Sequence, residues 1–186
     1  NSGTNAWDIN LNGPYTTNSD DTLYTPFYTM TGIVNPLLRF YQNRNTINPN
    51  AGFWIEYQEN NGGWQVLGST TSGNNATGWY NQANINFSNR PGWSGNSGGW
   101  KKTTFSLASV LAGGTNTVRF RFVFTSGFTT GGDGVSIDDF CVIAPSPLDA
   151  GVIAITNPTA QSPAGECVDV IVTIKITGRN SKRHGN

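Results

Sequence analysis

Along residues 117–124, Val118, Phe120, Phe122 and Phe124 alternate with Arg119, Arg121 and Val123. A period of two, with one apolar and one partly charged face, predicts a strand laid against a core. Gly127 to Gly134 then form a glycine-rich turn carrying Asp133, and Val135, Ile137, Asp138, Asp139, Phe140 and Val142 predict the returning strand. Asp is depleted in strands, so Asp138-Asp139 is unusual there. One of the two is expected to point inward, and a buried carboxylate needs a cation or several donors.

The same reading extends along the chain. Ala6–Leu11 predicts a short strand stopped by Asn12-Gly13-Pro14, and Thr22–Phe27 a strand that Pro26 confines to an end or an edge. Further strands are expected over residues 34–41, 53–58 and 64–67, the last two joined by the turn Asn60-Asn61-Gly62-Gly63. Residues 68–99 read as a long polar loop, which in a compact domain is either functional or packed by its own aromatics. Residues 100–107 predict another strand. No segment carries a helical period. Ala144-Pro145-Ser146-Pro147 marks a stiff linker over residues 145–149, followed by strands at 150–156 and 167–175 and a basic tail. Phe120, Phe122, Ile137, Phe140 and Trp100 are the expected core.

Composition supports this. Only 12% of residues are charged, while aromatics also make up 12% and glycines number 23. Neutral polar, aromatic-rich sequence with short apolar runs reads as all-β and is too aromatic to be disordered. Eleven basic residues balance eleven acidic ones, which argues against nucleic acid or an anionic membrane as partner. No apolar run approaches the roughly 20 residues of a membrane helix, so no membrane insertion is expected. Scarce lysine fits a secreted or cell-surface protein. Asn1 reads as an internal or processed start.

Several short motifs carry a resemblance. They are Ser2-Gly3-Thr4-Asn5-Ala6-Trp7, Asn10 to Tyr15, Leu23-Tyr24-Thr25-Pro26 and Gly62-Gly63-Trp64, followed by Trp79-Tyr80-Asn81, Gly92-Trp93-Ser94-Gly95 and Ser97-Gly98-Gly99-Trp100. Val118 to Phe122 and Gly134-Val135-Ser136-Ile137-Asp138-Asp139 complete the series. In this order they resemble the MAM-like jelly-roll domains of large secreted and surface proteins of Bacteroidetes-type bacteria. The resemblance implies an antiparallel two-sheet jelly-roll sandwich over residues 1–144, non-catalytic and used in adhesion or beside a secreted enzyme. Residues 148–176 resemble the opening strands of an Ig-like module of bacterial surface proteins, so residues 150–186 are expected to form a partial Ig-like β segment. The resemblance places a further strand before Ser2-Gly3, which the first unit is expected to lack. An open edge beside orphan strands is expected to favour self-association through sheet edges.

No catalytic constellation is visible. The single histidine, His184, lies in the tail, so a nucleophile has no base. The acids are better used on calcium, which takes six to eight oxygens from carboxylates, amides and backbone. Asp139 or Asp138 would meet Asp20, Asp21 or Asp8 if the N-terminal loop lies beside the last strand. The alternative is that Asp138 or Asp139 caps backbone donors or pairs with Arg119 or Arg121. Glu56 is expected to face solvent. Trp54, Trp64, Trp79, Trp93 and Trp100, with Tyr80, are candidates for a sugar-stacking platform or for core filling. Trp54 and Trp100 are assigned to the core, and Trp79, Tyr80 and Trp93 to an exposed ligand surface. Cys141 and Cys167 either pair or do not. The expected function is a non-catalytic extracellular binding or adhesion module for a glycan or protein ligand, with a structural calcium ion. The alternatives are a subunit assembling by strand exchange and an accessory domain of a secreted hydrolase.

Overall fold

The computed structural model describes residues 5–10, 13–111, 114–129, 131–144, 149–157 and 171–177. In chain order its strands are β1 (Trp7–Asp8), β2 (Asp20–Tyr24), β3 (Tyr28–Thr29), β4 (Leu37–Asn45), β5 (Ala51–Glu59), β6 (Gln65–Val66) and β7 (Ala76–Thr77). They continue with β8 (Trp93–Ser94), β9 (Lys101–Ser106), β10 (Thr117–Ser126), β11 (Gly134–Ile143), β12 (Asp149–Asn157) and β13 (Ile171–Thr177). The helical content among the described residues is two short 3₁₀ turns, Gly73–Asn75 and Leu107–Ser109. The chain divides into two compact units, Asn1–Ala144 and Pro145–Asn186.

The first unit is an antiparallel β-sandwich. One sheet runs β1-β11-β4-β9-β7, and the other runs β2-β10-β5-β6, with β3 also on β10 and β8 also on β5. The alternation in β10 sends Val118, Phe120, Phe122 and Phe124 inward, where all are buried. Leu38, Phe40 and Phe105 come from the opposite sheet. Ring contacts tie the layers together: Phe40 meets Phe122 at 5.0 Å and Trp93 at 5.7 Å, and within the second sheet Phe53 stacks on Trp93 at 4.8 Å. β4 begins at Leu37, three residues later than the alternation suggests. Asn35 is left-handed (φ 51°) and Pro36 has no N–H to give a ladder, so pairing starts only after them.

Two expected core residues sit at its margin. Phe140 is half-buried, packed from the side against Phe120 and Phe122 at 5.7 Å each. Trp100 is also half-buried, because it precedes β9 and lies beyond the ladder. The Asp138-Asp139 pair is explained by a β-bulge between Asp138 and Cys141, with Asp139 left-handed at φ 52°. The Asp139 N–H donates to Asp138 Oδ1 at 2.7 Å, and both acids are half-buried on the bulge, neither in the core.

In the second unit, β12 and β13 pair with Val152 opposite Ile174 and Ile155 opposite Val172. All four side chains are exposed.

Candidate functional site

The aromatic side chains assigned to an exposed ligand surface lie elsewhere. Trp93 is 1% exposed and Tyr80 5% exposed. β8 carries Trp93 under β5, where its Nε1 donates to the Gly78 carbonyl at 2.9 Å. The Tyr80 hydroxyl donates to the Ile55 carbonyl at 3.1 Å and accepts the Ile55 N–H at 3.2 Å, closing the ladder of β5 from the side. Burial, above all, pushes the Tyr80 phenol far above its ordinary range. Trp79 is half-buried between Tyr80 (4.8 Å) and Phe105 (4.5 Å), with its Nε1 shielded from solvent. The segment 68–99 is therefore packed by its own aromatics, and the expected platform of Trp79, Tyr80 and Trp93 is corrected to core.

The acids expected to share a calcium ion do not converge. Among the described residues no group of three or more His, Cys, Asp or Glu side chains could hold a metal. Asp8 on β1 accepts from Ser136 Oγ at 2.8 Å and from the Asn10 N–H at 3.1 Å. Asp20 and Asp21 lie on β2 in the other sheet, and Asp138 and Asp139 on the bulge of β11. Asp8 and Asp21 do line one cleft of about 230 Å³ between the edges β1 and β2, but its floor is Phe53, Phe122, Phe124 and Ile137. Apolar rings are poor company for a hard cation that needs six or more oxygens. Nor do Asp138 and Asp139 pair with Arg119 or Arg121. Cys141 carries a free thiol, and Cys167 lies outside the described residues.

What the fold does assemble is the outer face of the second sheet. If Phe120 and Phe122 point inward, Arg119 and Arg121 point outward. The register sets Arg121 opposite Glu56 on one side and Tyr24 on the other, and Arg119 opposite Gln58. Arg121 Nε and Nη2 both donate to Glu56 Oε2, at 2.8 and 2.5 Å, while Trp54 Nε1 donates to Glu56 Oε1 at 2.8 Å. Arg119 Nε donates to Gln58 Oε1 at 2.6 Å. The turn after β5 brings Trp64 back across these groups. Its ring lies 4.4 Å from the Arg121 Cζ, 5.0 Å from the Arg119 Cζ and edge-on to Tyr24 at 5.8 Å. Phe27 lies 4.6 Å from the Arg119 Cζ.

This cover explains a departure from expectation. Glu56 is 5% exposed rather than facing solvent, and Gln58 is buried beside it, although the alternation of β5 turns both away from Ile55 and Tyr57. Their shelter is the layer of Trp64 and the two arginines. Trp54 is 6% exposed and part of the core cluster, as expected. Burial pulls the Arg121 guanidinium down, but its hydrogen bond and ion pair with Glu56, helped by Tyr24, outweigh this and hold it above the ordinary arginine range. At the outer margin Tyr24 is 51% and Phe27 47% exposed. The face thus offers open aromatic rings beside fixed, planar hydrogen-bond donors.

Sequence reasoning noticed Trp64 and both arginines without joining them. The alternation Trp54-x-Glu56-x-Gln58 against Arg119-x-Arg121 was the available signal. Compared with known proteins, the chain matches no family model and no curated protein.

Proposed function

We propose that this chain is a non-catalytic extracellular binding module that engages a glycan through the outer face of the sheet β2-β10-β5-β6. One observation carries the reading: exposed Tyr24 and Phe27 stand beside a rigid network of Trp64, Arg119, Arg121, Glu56 and Gln58. Aromatic faces suit the C–H faces of sugar rings, and fixed polar groups suit their hydroxyls. The ion pair and the ring contacts hold the donors in place before a ligand arrives, which reduces the ordering cost of binding. The reading keeps the MAM-like jelly-roll assignment for residues 1–144, supported by two antiparallel sheets whose strands interleave along the chain. Secretion rests on composition. Calcium is left out of the reading, because the acids do not meet.

The test is a glycan array with the full chain and with Tyr24→Ala and Phe27→Ala. Both rings are half open to solvent, so their removal is expected to spare the fold and to remove array signal. An array without any bound glycan, or one unaffected by either substitution, would overturn the reading. A second reading, self-association through sheet edges, has one observation in its favour: the exposed Val152, Ile155, Val172 and Ile174 of the β12–β13 hairpin.

A further inference from the structure

The two guanidinium groups of the sheet face are in different circumstances. Arg121 is paired with Glu56 through Nε and Nη2, and its Nη1 donates to the Tyr24 hydroxyl at 3.5 Å. Arg119, on the same face, gives its Nε to the neutral Gln58 amide. Among the described residues no acid pairs with Arg119 and no acceptor meets its Nη1 or Nη2.

The acids around it are engaged or placed elsewhere. Glu56 is held by Arg121 and Trp54. Glu59 sits opposite Val118, on the core side of the register. Asp20 shares the outer face, but four residues of β2 separate it from Tyr24, roughly 13 Å at the usual rise per residue. Arg119 is half-buried, so part of its hydration is lost without a counter-charge. Phe27 and Trp64 pack on it at 4.6 and 5.0 Å and fix the plane of its fork.

We propose that Arg119 receives the carboxylate of an acidic sugar, a uronate whose ring lies against Phe27. This rests on the glycan-face reading above and names its ligand class. A planar fork matches a carboxylate in two parallel hydrogen bonds. The exposed ring of Phe27 beside the fork gives the sugar body a surface to lie on. One uncompensated cation takes one anionic group. A polyanion such as nucleic acid needs a row of cations, which the evenly balanced charge of this chain does not provide.

The test is calorimetric titration of the full chain with uronate trimers (galacturonate, glucuronate and mannuronate), their methyl esters and a sulfated galactan. At least one uronate is expected to bind, and its ester about tenfold or more weakly, as the loss of a charged hydrogen-bond pair implies. Arg119→Gln, whose amide can still donate to Gln58, is expected to stay folded with a cooperative melt and to bind acid and ester alike. Arg119→Lys, which keeps the charge and loses the fork, should fall between. An ester bound as tightly as its acid overturns the carboxylate assignment and leaves the glycan face standing. Preference for the sulfated galactan overturns it in favour of sulfate. Binding of neutral glycans on the array with no uronate bound also overturns it alone, whereas no glycan bound at all overturns both.

Discussion

Glu56 has both carboxylate oxygens satisfied, one by Trp54 and one by Arg121. Removing a partner from a buried ion pair costs more than removing its charge, because the remaining ion is stranded. Arg121→Ala is therefore expected to destabilise by about 3 kcal/mol, at the low end of that class because the Arg121 side chain is 24% exposed. Glu56→Gln, which keeps the shape and one acceptor, should cost about 1–2 kcal/mol. Urea unfolding of both variants checks the order. Equal losses below about 1 kcal/mol would mean a screened surface pair. Tyr80 is expected to weaken the fold at alkaline pH. Burial raises its phenol, the Ile55 hydrogen bond works the other way, and the Glu56 charge adds to the rise. Tyr28 and Tyr57 are also raised, burial first, with Cys141 and Glu59 respectively adding to it. Each stays protonated in the fold at a pH where the unfolded chain has already released its proton. Stability is thus full below the ordinary value of 10.0 and falls as pH rises above it. Denaturant midpoints followed upward through that pH should decline, and less steeply in Tyr80→Phe.

At the scale of elements, β5 is the strand most constrained from outside. β10, β6 and β8 all pair with it. Its two faces are both covered, one by the core and one by Trp64 with the arginines. The crossing of β5 and β8 is close enough that a Cβ on Gly52 would collide with the Trp93 carbonyl, and one on Gly92 with the Phe53 carbonyl. Gly52→Ala should cost about 1–3 kcal/mol or more from overpacking. Trp93→Ala should cost about 3–5 kcal/mol from the cavity it leaves. Thermal melts of the two variants check this; losses under about 0.5 kcal/mol would place the crossing at the surface. The long strands β5, β10 and β11 were legible because each carries its own alternation. The two-residue strands β7 and β8 were not, since two residues make no period. They exist because Trp79, Tyr80 and Trp93 pull the segment 68–99 into the core.

For the whole molecule, Asn1–Ala144 holds a continuous aromatic core of its own. A chain ending at Ala144 should therefore melt cooperatively, at the temperature of the sandwich transition in the full chain. The hairpin β12–β13 is different. A two-stranded sheet is marginal in water, and this one exposes Val152, Ile155, Val172 and Ile174. Exposed β-branched strips of this kind favour pairing with another surface. Sedimentation at rising concentration should give association of the full chain and none for the chain ending at Ala144. Monomers throughout for both would remove the hairpin as an adhesive element.

The sequence by itself determined the all-β class and the inward face of β10, since both follow from a period-two pattern carried by neighbouring residues. It also marked Asp138-Asp139 as unusual for a strand, but the inward-pointing acid expected there gives way to a bulge that the register of β11 on β4 decides. Only the tertiary structure decided which tryptophans fill the core and which cover a sheet. Trp54, in the alternating run Phe53 to Gln58, was legible as core, but Trp64, Trp79, Trp93 and Trp100 stand in similar polar, glycine-rich surroundings along the chain. Their fates differ because burial is set by segments far apart in sequence. Arg121 reaches Glu56 across a separation of 65 residues, and Trp64 swings back over both. The same holds for the acids: Asp8, Asp20, Asp21, Asp138 and Asp139 share a chemistry that fits calcium, and the two sheets carry them to different places.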